Sequence, residues 1–285
     1  MFNIPQCKIV AEACCNHLGD MNIAKEMIKA AATCGADYIK FQKRNCNKAV
    51  PKHIQDKPHP YPENSFGDTY LKHRQSLEFS IEQHKELIET CDKEGIRYAC
   101  SVWDEDSAAE IISLKPDYIK IPSAMNGNIK LINIVLRDYN GKIHLSLGMM
   151  SRKEREKLLY QQLKDVHDRI IPYWTTSDYP VKFNELYLLE IQKLRKGFET
   201  IGFSGHHLGI AVDMCAVAFG AQWIERHFTL DRTWKGSDQA ASLETAGLAK
   251  LVRDVKAVQA AMQYKGDGIT AGEKHNRDKL RLETK

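Results

Sequence analysis

Eight short β-type runs alternate with eight helical patterns from one end of this 285-residue chain to the other. The runs are residues 7–13, 37–42, 96–102, 117–123, 142–148, 169–175, 199–204 and 222–228. Strict alternation with short connections indicates parallel strands that are joined by helical crossovers. Eight such units predict a closed α/β barrel of the (β/α)8 TIM type, forming a single domain. The competing fold is an open, doubly wound sheet, but no GxGxxG sequence opens the first helix.

Cap residues mark the ends of two of these helical patterns. One pattern, at residues 22–35, ends in Gly35, and another begins at Ser80 and ends at Gly95. Serine is a favoured N-cap because its hydroxyl accepts a hydrogen bond from the first turn, and glycine is favoured just after a helix because it tolerates positive φ. We therefore expect helix ends at these three residues.

Two segments depart from the barrel pattern. Residues 43–79 contain four prolines, three histidines and many charges, with no clear period. Connections in such barrels are usually far shorter, so this excursion is predicted to be a functional lid or docking loop, with a tolerated surface insertion as the alternative. Residues 265–285 are polar and rich in glycine, and they are predicted to be a C-terminal extension. The barrel domain is accordingly placed at residues 1–264.

Charge and cysteine usage narrow the class of partner. The 41 basic and 37 acidic residues are interspersed and leave a formal net charge of +4, so neither nucleic acid nor a membrane is expected as a partner. No segment has the length of a transmembrane helix, and the first ten residues, MFNIPQCKIV, lack the layout of a signal peptide. The eight cysteines form no CxxC pair, which favours reduced thiols and a cytoplasmic protein.

Two lysines occupy the same place in two different strands, DYIKFQ and DYIKIPS. Lys40 and Lys120 lie in apolar company, where an unpaired ammonium costs several kcal/mol. Hydroxyls stand at or just beyond other strand ends, where the active sites of such barrels form, at Ser101, Ser123, Ser146, Ser177 and Ser204. Together these groups predict a receptacle for a small anion with phosphate and carboxylate groups. The alternative is that each lysine pairs with an internal glutamate such as Glu12 or Glu225.

Histidines lie at both ends of the apolar stretch FSGHHLGIAVDMCAVAFGAQWIERHFT, residues 203–229. If the seventh and eighth strands end at SGH and ERH, the side chains of His206 and His227 lie at neighbouring strand ends and share one divalent cation. Two imidazoles leave coordination positions open to substrate, as in a catalytic metal site. The alternative is a pair of satisfied core histidines, and His207 is interpreted as a flanking residue.

Several longer motifs resemble those of the sialic acid synthase family. IVAEACCNHLGD and the following YIKFQ are similar to its AExxxNHxG and KxQ elements, and YIKIPS, LSLGMMS and SDYP have counterparts in its YKIxS, LSTGMS and NxYP. The stretch from FSGHH to QAASLE resembles that family's run from SDHTLG to ASL. The likeness extends over nearly the whole chain, and ordered motifs of this length are far more specific than one short pattern.

The resemblance implies an enzyme that condenses phosphoenolpyruvate with a sugar aldehyde to give a nonulosonic acid. It implies a divalent metal, Mn2+ in the first instance with Mg2+ or Co2+ as alternatives, bound by His206 and His227. Phosphoenolpyruvate would contact Lys40, Ser101, Lys120, Ser123, Ser146, Ser177 and Ser204. The sugar would contact Glu12, Asn16, Gln42, Tyr179 and Asp238. The catalytic group would comprise Glu12, Lys40, Lys120, His206 and His227.

The chain also departs from the family pattern. Val102 replaces an expected threonine, Leu147 stands in the STG element, Gly205 replaces an acid, and Ser177 replaces an asparagine. The sequence resembles the catalytic barrel alone, without the C-terminal antifreeze-like domain that the family usually carries. Because that domain touches the sugar in a typical member, the identity of the aldose stays open.

Two other functions are considered beside the synthase. Lys120 suits the Schiff-base lysine of a metal-independent aldolase, since a lysine in a buried site is readily activated as a nucleophile. The substitutions at positions 102, 147 and 205 suit a degenerate, non-catalytic barrel that binds a sugar acid. A homodimer is expected from the resemblance, with small molecules as the other partners.

Overall fold

A computed structural model describes residues 6–281 and shows a closed barrel of eight parallel strands in chain order. The strands are β1 (Lys8–Glu12), β2 (Tyr38–Lys43), β3 (Arg97–Val102), β4 (Tyr118–Ile121), β5 (Lys142–Ser146), β6 (Ile170–Thr175), β7 (Gly202–Gly205) and β8 (Trp223–His227). Each strand pairs with its two neighbours, and β8 closes the barrel on β1 from Lys8↔Trp223 to Glu12↔His227. The predicted TIM barrel is confirmed.

Twelve α-helices lie in the described part of the chain. They are α1 (Met21–Thr33), α2 (Cys46–Ala49), α3 (Lys52–Gln55), α4 (Tyr70–Ser76), α5 (Ile81–Glu94), α6 (Glu105–Ser113), α7 (Ile129–Asp138), α8 (Arg152–Lys157), α9 (Leu189–Leu194), α10 (Ala211–Ala218), α11 (Thr245–Ala261) and α12 (Ala271–Leu280). Within residues 6–281, none of them has the length and apolar character needed to cross a membrane.

The predicted helix ends are confirmed. Ser80 and Gln83 form a capping box at the start of α5, in which each side chain accepts a hydrogen bond from the other residue's backbone N–H. Gly95 ends the same helix with φ of 71°, and Gly35 follows α1 with φ of 80°. These left-handed conformations are the ones that glycine adopts without steric cost.

Some helical patterns are shorter or more interrupted than predicted. The pattern at residues 151–165 breaks after α8 into a π-helical turn, Leu158–Gln162, and a distorted 3-10 segment. The pattern at residues 184–196 yields only α9, because a 3-10 turn, Phe183–Glu185, precedes it. The polar extension contains α12, whose described side chains are all exposed. Residues 282–285 of that predicted extension, and residues 1–5 of the predicted barrel domain, lie outside the described residues.

The excursion at residues 43–79 has more regular structure than the sequence indicated. It contains α2, α3, a 3-10 turn at Pro62–Asn64, and α4. The Arg44–Glu78 ion pair, with 2.7 Å between Nε and Oε1, joins its two ends. At its middle, the Asn64 side chain accepts a hydrogen bond from the Gly236 N–H in the loop after β8. These contacts hold the excursion over the carboxyl end of the barrel.

Three aromatic rings fill the amino-terminal half of the barrel interior. Tyr38, Tyr118 and Trp223 lie with their ring centroids 5.2 to 5.4 Å apart, and we call them the aromatic plug. Alternate residues of a strand face the same side, so the next inward positions on these strands are Lys40, Lys120 and Glu225. The plug therefore forms an apolar base under a layer of charged side chains.

Candidate active site

One cavity opens at the carboxyl end of the barrel, where the βα loops begin. Twelve of the fourteen predicted site residues line it: Glu12, Lys40, Ser101, Lys120, Ser123, Ser146, Ser177, Tyr179, Ser204, His206, His227 and Asp238. The cavity is also lined by residues that the sequence did not predict as ligand-binding, among them Cys14, Arg44, Arg74, Trp103 and Thr175, and by Glu225, which was considered only as a partner of the lysines. All eight strands contribute a side chain directly, and the loops after β4 and β6 contribute several more.

Four ionised side chains form a buried chain across the base of this cavity. The Lys40 ammonium contacts Glu12 and lies 3.8 Å from Glu225 Oε2, and Lys120 Nζ donates a 2.5 Å hydrogen bond to Glu225 Oε1. Each side chain is at most 6% exposed. The pairing of both lysines with internal glutamates, considered above as an alternative, is therefore present in the structure.

The pKa values of this chain follow from burial and mutual charge. Burial lowers the pKa of Lys40 to about 8, although Glu225 opposes the change, and burial also lowers the pKa of Lys120. Burial would raise the pKa of Glu225, but the ammonium groups of Lys120 and Lys40 outweigh it and lower that pKa to about 2. Glu225 is thus a permanent anion at neutral pH that keeps the two cations near the cavity.

Hydroxyl groups surround the cavity above the ionised side chains. Ser101 accepts a hydrogen bond from Lys40 Nζ at 2.7 Å, and Ser204 donates one to Glu225 at 3.1 Å. The Ser177 and Thr175 hydroxyls are buried without a hydrogen-bond partner among the described residues. Because an unsatisfied buried hydroxyl costs free energy, these two groups fit a ligand that supplies acceptor oxygens.

Gly148 is the point around which two of the predicted serines converge. A Cβ atom placed there would lie 2.4 Å from Ser177 Oγ and 2.7 Å from Ser123 Oγ. The Asn126 side chain donates hydrogen bonds to the carbonyls of Ser146 and Gly148, which fixes this loop. The backbone therefore approaches the hydroxyls closely only because position 148 has no side chain.

The two predicted metal-binding histidines lie side by side, with ring centroids 5.5 Å apart. His206 Nδ1 is hydrogen-bonded to the Thr176 carbonyl at 2.8 Å, which makes Nδ1 the protonated nitrogen and leaves Nε2 as a lone-pair donor. Burial lowers the pKa of His206 to about 3 and also lowers that of His227, so both rings are neutral. Neutral imidazole is the form that binds metals.

The donors around His227 form a compact group with metal-ligand chemistry. One ligand atom each from Cys14, His227 and Asp238 lies within 4.8 Å of the other two. His227 Nδ1 is buried without a hydrogen-bond partner in the described chain, so the residues fit a divalent cation. Sequence reasoning missed Cys14 because a cysteine beside a strand is usually a small hydrophobe.

Asn16 and Gln42 do not line the cavity. Asn16 Nδ2 donates to the Phe228 carbonyl at 2.8 Å and to Ser242 Oγ at 2.9 Å, which ties the β1 loop to the β8 loop. Gln42 lies behind the cysteines, with its side chain against Cys14 and Cys15. Position at a strand end predicts which polar residues lie near the cavity. It does not distinguish residues that face the cavity from residues that hold its loops in place.

His207, interpreted as a flanking residue, belongs to a buried structural cluster. Its Nε2 lies 3.4 Å from the Asp213 carboxylate, which also binds the buried Arg226 guanidinium at 2.5 Å. At the neighbouring Gly205, a Cβ atom would lie 2.8 Å from the His207 ring and 2.9 Å from Phe203. The glycine that departs from the family pattern is therefore required by the way His207 packs.

The departures at Val102 and Leu147 lie in the hydrophobic core, where both side chains are buried. Neither lines the cavity, so both are packing residues here. They do not remove a polar group from the site as it stands in this chain.

A closed parallel barrel with ionised, hydroxyl and imidazole side chains converging at its carboxyl end defines a TIM-barrel enzyme. The profile of the NeuB family matches residues 27–267, and the chain belongs to this family. It is 37% identical to the human N-acetylneuraminate-9-phosphate synthase, over 90% of this chain and 71% of that protein. It is 35% identical to the N,N'-diacetyllegionaminic acid synthase of Campylobacter jejuni, over 96% of this chain and 82% of that protein. The chain is an enzyme that makes sialic-acid-like sugars.

A solved structure agrees with the sequence comparisons. The N-acetylneuraminic acid synthetase of Leptospira borgpetersenii, solved in complex with citrate, superposes with a TM-score of 0.81 and 29% identity. The match covers 99% of this chain and 97% of that one. Fold and family are thus established independently by structure and by sequence.

Proposed function

We propose that the enzyme condenses phosphoenolpyruvate with a sugar aldehyde, assisted by a divalent metal, to give a 3-deoxy-2-ulosonic acid and phosphate. The observation that carries this proposal is the meeting of Lys40, Lys120 and the unsatisfied Ser177 hydroxyl with the His206–His227 pair in one cavity. The names of the human and Campylobacter relatives, both synthases of nonulosonic acids, support the reaction class.

The lysines and serines hold phosphoenolpyruvate. An incoming phosphate and carboxylate bring negative charge to Lys40 and Lys120, whose present partners are Glu12 and Glu225. Ser123, Ser146 and Ser177 donate to phosphate oxygens from the far side of the cavity. Preorganised donors of this kind stabilise charge without reorganisation during the reaction.

The aldehyde occupies the upper cavity, between Tyr179 and Asp238. A divalent ion such as Mn2+, held by His206 and His227, would polarise the aldehyde oxygen when bound. The C2=C3 electron pair of phosphoenolpyruvate forms the new bond to the aldehyde carbon, while the C=O π pair moves to the aldehyde oxygen, which takes a proton from solvent. The Tyr179 ring lies 4.1 Å from the His206 ring and forms one wall for the sugar.

Glu12 completes the reaction as a general base. Water adds to the cationic C2, and the Glu12 carboxylate accepts a proton from that water. The Lys40 ammonium holds the Glu12 carboxylate in position. The tetrahedral intermediate then collapses: the bond from C2 to the phosphate oxygen breaks, the C2 hydroxyl passes its proton to the departing phosphate, and the 2-keto acid remains. The Cys14 N–H donates to Glu12 Oε1 at 2.8 Å and orients the carboxylate.

Phosphate release tests the proposal. Metal-stripped enzyme is incubated with phosphoenolpyruvate and a panel of aldoses, including N-acetylmannosamine, mannose, arabinose and their phosphates, with and without Mn2+. Metal-dependent release with one sugar identifies the reaction and the acceptor together, and His206→Ala and His227→Ala should abolish it. Full activity in a chelator, with borohydride trapping at Lys120, would replace this mechanism by a Schiff-base aldolase.

We also propose that the enzyme works as a homodimer in the cytoplasm. Exposed apolar side chains on the active-site side of the barrel, Phe183 at 65% and Leu208 at 51%, offer a surface for self-association. The free thiols of all eight cysteines suit a reducing compartment. Light scattering of the purified protein measures its oligomeric state, and fractionation of cells that express it determines whether it lies in the cytoplasm.

A further inference from the structure

We propose that Cys14 and Asp238 are ligands of the metal in this enzyme, so that its site contains a thiolate beside the imidazole of His227. The inference takes from the proposed function only that a divalent cation binds here. It assigns to Asp238 a role other than sugar contact, and it gives the metal site a sulfur donor.

The geometry of the three donors carries the inference. Cys14 Sγ lies 3.1 Å from Asp238 Oδ2, and the ligand atoms of Cys14, Asp238 and His227 all lie within 4.8 Å of one another. Ligand atoms around a four-coordinate ion are separated by about 3–4 Å, because each lies roughly 2.0–2.3 Å from the metal. Small side-chain rotations therefore bring the three atoms onto one ion.

His206 is placed to supply a fourth donor. Its ring centroid is 5.5 Å from that of His227, and imidazoles bound to one ion have centroids up to about 6.5 Å apart. Its Nδ1 is occupied by the Thr176 carbonyl, so Nε2 points elsewhere as a lone pair. A carbonyl that fixes the ring in this way is the usual outer-shell partner of a metal-bound histidine.

The backbone around Cys14 is built to present its side chain. Cys14 lies two residues past the end of β1 and has φ of 46°, a left-handed conformation that is uncommon for a residue with a side chain. Its N–H is held by Glu12, and the loop after it is tied to the β8 loop by Asn16 and by Gln239 Nε2, which donates to the Asn16 carbonyl. The same ties hold Asp238 opposite Cys14.

A bound cation would also balance the negative charges of the Cys14 and Asp238 side chains. The Cys14 thiol donates a hydrogen bond to the Asp238 carboxylate. A divalent ion deprotonates a coordinating thiol, and the thiol proton leaves to solvent as the Sγ–metal bond forms. The result is a thiolate, a carboxylate and neutral imidazoles around one dication.

A sulfur ligand changes which metal the site prefers. Thiolate is a soft donor that favours Co2+ and Zn2+, whereas Mg2+ prefers an all-oxygen shell. We therefore expect binding in the order Zn2+ and Co2+ ahead of Mn2+, with Mg2+ weakest. A site with only two histidines and water would separate these metals less sharply.

Cobalt spectroscopy on the full chain tests the ligand set without relying on activity. Co2+ is added to metal-stripped enzyme, and the near-ultraviolet band that arises from thiolate-to-cobalt charge transfer is recorded. The band should be present in the wild type and absent in Cys14→Ser, and Co2+ affinity should fall at least about tenfold in Cys14→Ser and in Asp238→Asn. The matched control is Cys215→Ser, the same substitution at an exposed cysteine, which should keep both band and affinity.

Each other outcome overturns a stated part of this account. Co2+ that binds without a charge-transfer band, or with a band that survives Cys14→Ser, excludes the thiolate ligand while leaving metal-dependent phosphate release intact. Absence of Co2+ binding in the wild type excludes the ligand set and the metal-assisted reaction together. If Cys14→Ser does not fold, which its circular dichroism would show, Asp238→Asn and the wild-type band still decide the question.

Discussion

Lys120 donates a 2.5 Å hydrogen bond to Glu225 across the interior of the barrel, from β4 to β8. Both side chains are almost fully buried, and Lys40 lies 3.8 Å from the other oxygen of the same carboxylate. One glutamate thus lies close to two lysines on different strands, and Glu12 supplies the second carboxylate through its contact with Lys40. The negative charge of Glu225 lies between the two ammonium groups at the base of the cavity.

Replacing Glu225 by glutamine should destabilise the fold. The change leaves Lys40 and Lys120 buried with less compensating charge, and breaking a buried ion pair in this way costs about 3–5 kcal/mol. Urea unfolding measures the loss. Glu86→Gln is the control, because Glu86 pairs with Lys25 at the surface, where such a pair contributes roughly 0–1 kcal/mol. Equal losses for the two variants would show that Glu225 does not neutralise the lysines.

The affinity for phosphoenolpyruvate should fall as pH rises through about 8. Burial lowers the pKa of Lys40 to about 8, so the ammonium is charged below that pH and neutral above it, whereas the substrate phosphate stays ionised. KM for phosphoenolpyruvate should therefore rise above pH 8 and be flat between about pH 7 and that point. In Lys40→Arg the rise should disappear, since arginine keeps its charge. A KM that rises equally in both enzymes would assign the titration to another group.

Adding one methyl group at Gly148 should impair substrate binding selectively. The Cβ of alanine would displace the hydroxyls of Ser177 and Ser123, which lie 2.4 Å and 2.7 Å from its position. We expect KM for phosphoenolpyruvate to rise at least about tenfold, equivalent to 1.4 kcal/mol, and KM for the aldose to rise less. Gly127→Ala is the matched control because a Cβ there meets no atom within 4 Å. Steady-state kinetics of the two variants contradict the prediction if their KM values agree.

Restoring the family's acidic residue at position 205 should damage this particular chain. In Gly205→Asp the new Cβ would lie 2.8 Å from the His207 ring and 2.9 Å from Phe203, and overpacking of this kind typically costs about 1–3 kcal/mol. Thermal unfolding should show a lower midpoint than the wild type. Gly266→Asp, on the exposed segment after α11, introduces the same side chain into open space and should leave the midpoint unchanged. A stable Gly205→Asp enzyme would mean that His207 can repack.

The barrel architecture was predictable because the hydrophobic period and the length of each strand and helix can be read from short segments, and the strand–helix unit repeats along the chain. Each strand from β1 to β8 coincides with a run identified from sequence, although β2 and β7 each extend one residue past the predicted end. The caps at Ser80 and Gly95 follow from hydrogen bonds inside one turn. The excursion was less predictable, because α2 and α3 are too short to show a helical period. They are held by contacts with distant residues, which a local pattern does not contain.

The site was predictable as a set of residue types and less so as a geometry. Lys40 and Lys120 stand out because charge inside a barrel strand is costly, and both line the cavity. Asn16 shares the strand-end position but faces Ser242 instead of the cavity, a difference of side-chain direction in a turn. Cys14 was missed because its relation to Asp238 spans more than two hundred positions of the chain.

The aromatic plug determines the side from which the cavity is reached. Tyr38, Tyr118 and Trp223 fill the barrel interior below the cavity, and in the described part of the chain the cavity opens at the carboxyl end, beside the β8 loop and the excursion. A ligand bound to Lys40 and Lys120 lies at the inner end of the cavity, where a second molecule bound above it would block its exit. The shape of the cavity thus predicts an order of binding: the ligand at Lys40 and Lys120 should bind before a ligand in the upper cavity and leave after it.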